Sequence, residues 1–171
     1  PITIDRALEI EARYFIKLLA SKEAKNMIRT GFMELQKAKK GIARPKTEPA
    51  YEIKKLGILG AGMMGAGIAY VSAKAGMDVV LKDVSQEGAE KGKAYSKAIL
   101  DKAISKNRST PEKAEALLSK IEATTDPASM KDCDLVIEAV FEDPKLKAIV
   151  TAETEAVLGT DKVYASNTST I

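Results

Sequence analysis

The stretch KLGILGAGMMGAGIAY, residues 55–70, joins an apolar run to an apolar helical pattern through a glycine-rich turn. Residues 53–59 are a predicted β-strand, and a helix is predicted after the turn. Between them, Gly60, Gly62 and Gly65 form a GxGxxG motif. The first glycine permits a tight turn, the second lets the backbone approach a pyrophosphate, and the third allows close helix–strand packing. The motif indicates a phosphate at the helix N-terminus, although a glycine cluster used only for packing is the alternative.

An acidic residue follows the next apolar run. Residues 79–81 form the centre of a second predicted strand, which ends at Asp83, 23 residues after Gly60. A carboxylate at this position can accept hydrogen bonds from both ribose hydroxyls of an adenosine. It would also repel a 2′-phosphate, and Val84 and Ser85 after it offer no arginine to compensate, so the sequence favours NAD over NADP. Taken alone, Asp83 could equally cap a helix.

Helical and strand patterns continue to alternate through the rest of the chain. Continuous apolar strands in the order βαβαβ predict a parallel sheet that is covered on both faces. The predicted fold class is therefore α/β, a Rossmann-type doubly wound and mainly parallel sheet over residues 53–171. Further helices are predicted over 86–106, 111–120 and 144–158, and further strands over 121–124, 135–139 and 163–166.

The sheet is preceded by a short helical segment. Residues 1–41 predict two helices with apolar stripes, the first with Asp5 placed as its cap and the second capped by Ser21. Residues 42–52 carry two prolines among charged residues and are a predicted linker. The helical pair has apolar stripes to bury but little mass of its own, so we expect it to pack against something else.

Composition excludes several classes of function. Net charge is +3, from lysines spread along the chain, so no concentrated nucleic-acid footprint exists. No apolar run approaches the roughly 20 residues that span a bilayer, and no signal peptide is evident, so we expect a cytoplasmic protein. Cys133 is the one cysteine, so neither a disulfide framework nor a metal site is expected. The chain has no histidine, so any imidazole base must lie outside it.

Polar side chains follow the last two predicted strands. Glu142 and Lys147 come after the strand over 135–139, and a serine- and threonine-rich run occupies residues 166–170. Loops at the carboxyl ends of the strands line the ligand crevice of a doubly wound sheet, so we expect both segments to lie there. The alternatives are a helix-start ion pair for Glu142 and Lys147, and a plain turn for residues 166–170.

Four segments together resemble a known family. GILGAGMMGAGIAY at 57–70, LKD at 81–83, EAVFEDPKLK at 138–147 and ASNTST at 165–170 are similar to the NAD-binding domain of L-3-hydroxyacyl-CoA dehydrogenase. The likeness is strongest to the alpha subunit of the multifunctional fatty-acid oxidation complex. There the domain follows an enoyl-CoA hydratase domain, a lyase, through a helical linker, and residues 1–41 resemble the end of that hydratase region with its linker helix.

The resemblance implies NAD as the cofactor, an acyl-CoA as the substrate and a thiolase subunit as partner in the parent complex. It implies a histidine base, held by a glutamate, in a downstream segment, followed by a helical domain that clamps the acyl-CoA. The chain is then expected to be a fragment, truncated within its Rossmann domain and inactive by itself in the β-oxidation of fatty acids. The alternatives are another NAD-dependent 3-hydroxy-acid dehydrogenase and a non-catalytic NAD-binding module.

The resemblance also implies roles for individual residues. Ser169 would touch the nicotinamide region and the 3-hydroxyl of the substrate, and it is the expected catalytic residue within the chain. The residues expected to bind the cofactor are Gly60, Ala61, Gly62, Met63, Met64, Gly65, Asp83, Val140, Phe141, Glu142, Lys147 and Ser169.

Overall fold

The computed structural model of the protein describes residues 2–46 and 51–168. The chain divides into two compact units, Pro1–Ala50 and Tyr51–Ile171, with a boundary inside the predicted linker. Within the described ranges, no helix combines the length and the hydrophobicity needed to cross a bilayer.

The first unit is helical, with α1 at Ile4–Leu19, α2 at Lys22–Ile28, a π-helical segment at Arg29–Glu34 and α3 at Leu35–Lys39. The second predicted helix is therefore interrupted. Ser21 caps α2, because its hydroxyl accepts a hydrogen bond from the Ala24 amide at 3.1 Å. The predicted cap of α1 is wrong. Thr3 has the extended backbone of an N-cap and accepts from the Arg6 amide at 3.4 Å, so Asp5 lies in the first turn instead.

The second unit is a parallel sheet with helices on both faces, and its strands are β1 Lys55–Leu59, β2 Asp78–Lys82, β3 Ile121–Thr124, β4 Leu135–Glu138 and β5 Val163–Ser166. The order of these five strands in the sheet is β3-β2-β1-β4-β5. This confirms the predicted Rossmann-type fold. The crossover from β3 to β4 passes to the other side of β1, so β1 and β4 flank the topological switch point. The helices are α4 Met63–Lys74, α5 Gln86–Ser105, α6 Pro111–Leu118, a 3₁₀ helix Pro127–Met130 and α7 Pro144–Glu155.

The core lies on both faces of this sheet, because successive strand residues point to opposite sides. One face packs Ile58, Val79 and Leu81 with the alanines of α4. The other packs Val80, Cys133 and other apolar side chains from β1, β4 and the 3₁₀ helix, with Val150 of α7. The 3₁₀ helix has no counterpart in the predicted elements, since its four residues are too few for a periodic pattern.

At the amino edge of the sheet, Asp134 joins neighbouring strands just before β4 begins. Its Oδ2 accepts hydrogen bonds from the backbone amides of Lys54 at 2.8 Å and Lys55 at 3.0 Å. Its Oδ1 accepts from the Lys162 ammonium at 3.4 Å, and its backbone carbonyl accepts from the Tyr51 hydroxyl at 2.7 Å. The hydrogen bonds from the Lys55 and Lys54 amides hold the pKa of Asp134 below its ordinary value.

Candidate functional site

The glycine-rich turn after β1 uses its first and third glycines for backbone geometry. Gly60 has φ +95°, and a Cβ there would lie 2.7 Å from the Ala139 carbonyl oxygen, so only glycine fits. A Cβ on Gly65 would collide with the Gly60 carbonyl. Both positions therefore require glycine so that α4 can begin tightly against the sheet.

The second glycine differs from the other two. A Cβ on Gly62 would meet no protein atom within 4 Å, so packing does not require glycine at this position. Gly62 is the N-cap of α4 and supplies no side-chain cap to its first turn. The amides of that turn therefore remain available to an anion that approaches the bare backbone. This arrangement favours the phosphate interpretation over a packing cluster.

Asp83 holds the turn in addition to lying beside it. One carboxylate oxygen accepts a hydrogen bond from the Ala61 amide and the other from the Val84 amide, each at 2.7 Å. A carboxylate offers about four acceptor positions, so room remains for ribose hydroxyls. The helix-cap alternative does not apply, because the Ser85 hydroxyl caps α5 by accepting from the Gly88 amide at 3.0 Å.

A cleft of about 470 Å³ opens at the carboxyl edge of the sheet. It lies over the switch point, between the turn after β1 and the loops after β2 and β4. Ala61 and Gly65 shape the turn without lining this cleft. The residues predicted to bind a cofactor that do line it are Gly60, Gly62, Met63, Met64, Asp83, Val140 and Phe141.

Lys82 also lines the cleft and was not predicted to do so. Its side chain is 10% exposed, and its ammonium forms an ion pair with Glu153 at 3.6 Å. A lysine at the last position of a strand is typical of an exposed end, so the sequence pattern gave no reason to place it in a cleft.

A second polar cluster lies beyond the cleft, after β4 and β5. The Lys147 ammonium contacts Glu138 at 3.0 Å and Glu142 at 3.1 Å, and it also donates to the Thr168 hydroxyl. Glu142 and Lys147 thus form the ion pair that a helix start would explain, but Glu138 makes it part of a larger network. The predicted catalytic Ser169 lies outside the described residues.

Glu138 is the functional candidate that sequence reasoning missed. Its side chain is 3% exposed and accepts hydrogen bonds from the Ser166 hydroxyl and the Val140 amide, each at 2.8 Å. Burial alone raises the pKa of Glu138, but the hydrogen bonds from Lys147, Ser166 and Val140 outweigh it and hold that pKa below the ordinary value. The one sequence signal was an acidic residue ending the otherwise apolar strand LVIE.

The Lys147 ammonium is held charged by the same network. Burial lowers the pKa of Lys147, whereas the hydrogen bonds to Glu138 and Glu142 raise it above its ordinary value. The Glu138 carboxylate and the Lys147 ammonium therefore stand charged together beside the β4 loop.

Comparison with known proteins identifies the sheet unit. Residues 55–171 match the family described as 3-hydroxyacyl-CoA dehydrogenase, NAD binding domain. The chain is 37% identical to (S)-3-hydroxybutyryl-CoA dehydrogenase from Ralstonia eutropha, with a TM-score of 0.67 over 70% of this chain and 42% of that one. It is 32% identical to 3-hydroxybutyryl-CoA dehydrogenase from Escherichia coli, with a TM-score of 0.66 over 70% of this chain and 25% of that one.

A third similar structure is the dehydrogenase part of multifunctional enzyme 1 from C. elegans. It is 26% identical, with a TM-score of 0.62 over 73% of this chain and 28% of that one. The chain therefore spans less than half the length of each of these three solved structures. The open position at Gly62, the first-turn amides of α4 and the acceptor Asp83 fit NAD, the cofactor of this domain. The chain belongs to the 3-hydroxyacyl-CoA dehydrogenase family, of which residues 55–171 are the NAD-binding domain.

Proposed function

We propose that the chain supplies the NAD-binding part of an enzyme that oxidises L-3-hydroxyacyl-CoA to 3-ketoacyl-CoA in the β-oxidation of fatty acids. The observation that carries the proposal is the cleft between Gly62 and Asp83, because it joins an anion site to a ribose acceptor. Family membership and similarity to two 3-hydroxybutyryl-CoA dehydrogenases support a 3-hydroxyacyl-CoA as the substrate.

Each half of the cofactor has candidate partners in this chain. The amides of the first turn of α4 would hold the pyrophosphate, and Asp83 would accept hydrogen bonds from the adenosine ribose. Val140 and Phe141, which line the cleft, would contact the nicotinamide half, and Lys147 and Glu142 would supply polar groups there. NAD, when bound, accepts the hydride from C3 of the substrate, and the chain's own part is to orient it.

We propose that the residue that removes the proton lies outside this chain. As the hydride leaves C3, a base has to take the hydroxyl proton, and none of the 171 residues is a histidine. Ser169, the candidate for orienting the substrate hydroxyl, is too weak a base to replace imidazole. We therefore propose that the base belongs to another part of a longer protein, and that this chain alone binds NAD without turnover.

The resemblance to the alpha subunit of the fatty-acid oxidation complex supports a finer proposal. The parent protein would also carry an enoyl-CoA hydratase, a lyase activity, and would associate with a thiolase subunit in the cytoplasm. Similarity to the dehydrogenase part of a multifunctional enzyme agrees with this proposal.

Calorimetric titration of the chain with NADH and NADPH is the first test. Binding of NADH at least tenfold tighter than NADPH is expected, because Asp83 repels a 2′-phosphate. Equal or tighter binding of NADPH would contradict the Asp83 assignment.

Activity of the parent protein is the second test. Oxidation of L-3-hydroxyacyl-CoA, followed by NADH absorbance, is expected. Oxidation of free 3-hydroxy acids alone would favour another dehydrogenase, and NADH binding without either oxidation would favour a non-catalytic module.

A further inference from the structure

Glu138 occupies an unusual place for a charged residue. It ends β4, its side chain is 3% exposed, and three different segments donate hydrogen bonds to its carboxylate. Ser166 donates from the end of β5, Lys147 from α7 and the Val140 amide from the loop between β4 and α7. These are the segments that follow β4 and β5 at the carboxyl edge.

Stability alone gives little reason to keep a carboxylate at this position. A buried ion pair costs desolvation, and replacing it with well-packed apolar residues is often neutral or stabilising. What the carboxylate supplies is geometry, because each of its donors is held at one position.

The lysine is the partner that depends most on this geometry. Lysine carries its charge on a flexible four-carbon stem, which by itself places the ammonium poorly. The Lys147 side chain is only 20% exposed, and its ammonium lies within hydrogen-bond distance of both Glu138 oxygens, at 3.0 and 3.3 Å. The other carboxylate near it, Glu142, is 62% exposed and so is a much weaker restraint.

We propose that Glu138 is a positioning residue that fixes the Lys147 ammonium and the Val140 amide beside the nicotinamide half of the NAD site. The inference rests on the proposed function, because it takes the cofactor to extend from the Gly62 turn toward this cluster. Glu138 itself need not touch the cofactor. Its effect acts through Lys147 and the β4 loop, and it should be confined to one half of the dinucleotide.

The test compares a whole cofactor with half of it. Calorimetry measures the affinities of NADH and of ADP-ribose, which lacks the nicotinamide ring, for the unchanged protein and for Glu138→Gln, Lys147→Met and the double variant. Glu138→Gln is expected to weaken NADH binding about tenfold and to leave the affinity for ADP-ribose within about twofold of its original value. The double variant is expected to lose little more NADH affinity than Lys147→Met alone, because each change removes the ammonium from the same position.

Asp134→Asn is the matched control, since Asp134 also pairs with a lysine and with backbone amides but lies before β4. It is expected to lower the unfolding temperature and to leave both affinities unchanged. Ser166→Ala is a milder second variant if Glu138→Gln does not fold. It is expected to weaken NADH by a few-fold and to spare ADP-ribose, because it removes one hydrogen bond to the carboxylate.

Two results would overturn the inference. One is an equal loss of NADH and ADP-ribose affinity in the folded Glu138 or Ser166 variants, which indicates a general structural role. The other is full additivity of the Glu138→Gln and Lys147→Met losses. Failure of the unchanged protein to bind NADH would be a different result, because it would refute the proposed function itself and this role with it.

Discussion

Asp134 and Glu138 bracket the same strand, yet they serve different parts of the molecule. Both carboxylates accept backbone amide hydrogen bonds and both pair with a lysine. The Asp134 carboxylate binds the backbone amides at the start of β1 and the Lys162 ammonium just before β5, so it connects two strands. The Glu138 carboxylate binds the Lys147 ammonium, the Ser166 hydroxyl and the Val140 amide, so it connects the segments at the carboxyl ends of β4 and β5.

The two carboxylates differ in role because they lie at opposite edges of the sheet, not because their chemistry differs. At the carboxyl edge of a parallel sheet, the loops separate around the switch point and leave a crevice. We expect a charged network there to place groups around a bound ligand. At the amino edge the same interactions connect residues at the starts of neighbouring strands, and we expect them to contribute to stability.

The largest expected effect concerns catalytic turnover at the carboxyl edge of the sheet. The chain alone is expected to show no measurable oxidation of L-3-hydroxyacyl-CoA at saturating NAD, because general-base assistance contributes ~10²–10⁴-fold and no imidazole is present. NADH absorbance is compared between this chain and the proposed longer protein. Substantial turnover by the chain would mean that a base of the carboxyl edge itself has been overlooked.

The second effect concerns the open glycine of the turn. Gly62→Val is expected to abolish NADH binding, with at least a hundredfold loss, because the side chain would occupy the space of the pyrophosphate. The fold should survive, since no protein atom lies within 4 Å of the new Cβ. Calorimetry and thermal unfolding measure the two quantities. Gly67→Ala is the control on the same helix and is expected to bind NADH normally. Normal NADH binding by Gly62→Val would mean that the glycines of the turn serve packing and do not form a pyrophosphate site.

The third effect contrasts the two ends of β2. Asp83→Ala is expected to weaken NAD binding by about 1–3 kcal/mol, because it removes a ribose acceptor and releases the Ala61 amide. Asp78→Ala, at the amino end of the strand, is expected to leave binding unchanged. Asp78 is 66% exposed and pairs only with Lys120 among the described residues. Similar losses in both variants, measured by calorimetry, would break the distinction between the edges.

The smallest effect is a loss of stability at the amino edge. The folded-state pKa of Asp134 lies below its ordinary value, so its contribution is present above about pH 4 and is lost as pH falls through the folded pKa. Asp134→Asn is expected to lower the free energy of unfolding by about 1 kcal/mol at pH 7 and by less in acid. Urea unfolding at pH 7 and at pH 3 checks this. An equal loss at both pH values would assign the effect to packing rather than to charge.

Local patterns predicted most of the sheet unit. The glycine-rich turn and the apolar strands depend on residues close in sequence, and the structure has them near the predicted positions. The error at α1 has the same origin. Thr3 and Asp5 are both good caps, and the choice between them depends on where the first turn begins.

The interactions that escaped prediction join distant residues. Glu138 meets Lys147 nine residues later and Ser166 twenty-eight residues later, and no periodic pattern records such a meeting. The bond from the Ala61 amide to Asp83 spans 22 residues and gives the expected ribose acceptor a second role. Lys82 shows the same limit, because a terminal strand position does not reveal whether its side chain enters a cleft.

The buried Cys133 allows the opening rate of the core of the sheet unit to be measured by thiol labelling. Burial raises the pKa of its thiol to about 11, so the reactive thiolate is scarce at neutral pH as long as the core is closed. It is the one cysteine in the chain, so any modification by a thiol reagent takes place at this site. The labelling rate of the protein without substitutions therefore counts the transient openings of the face that packs against Val80 and Val150.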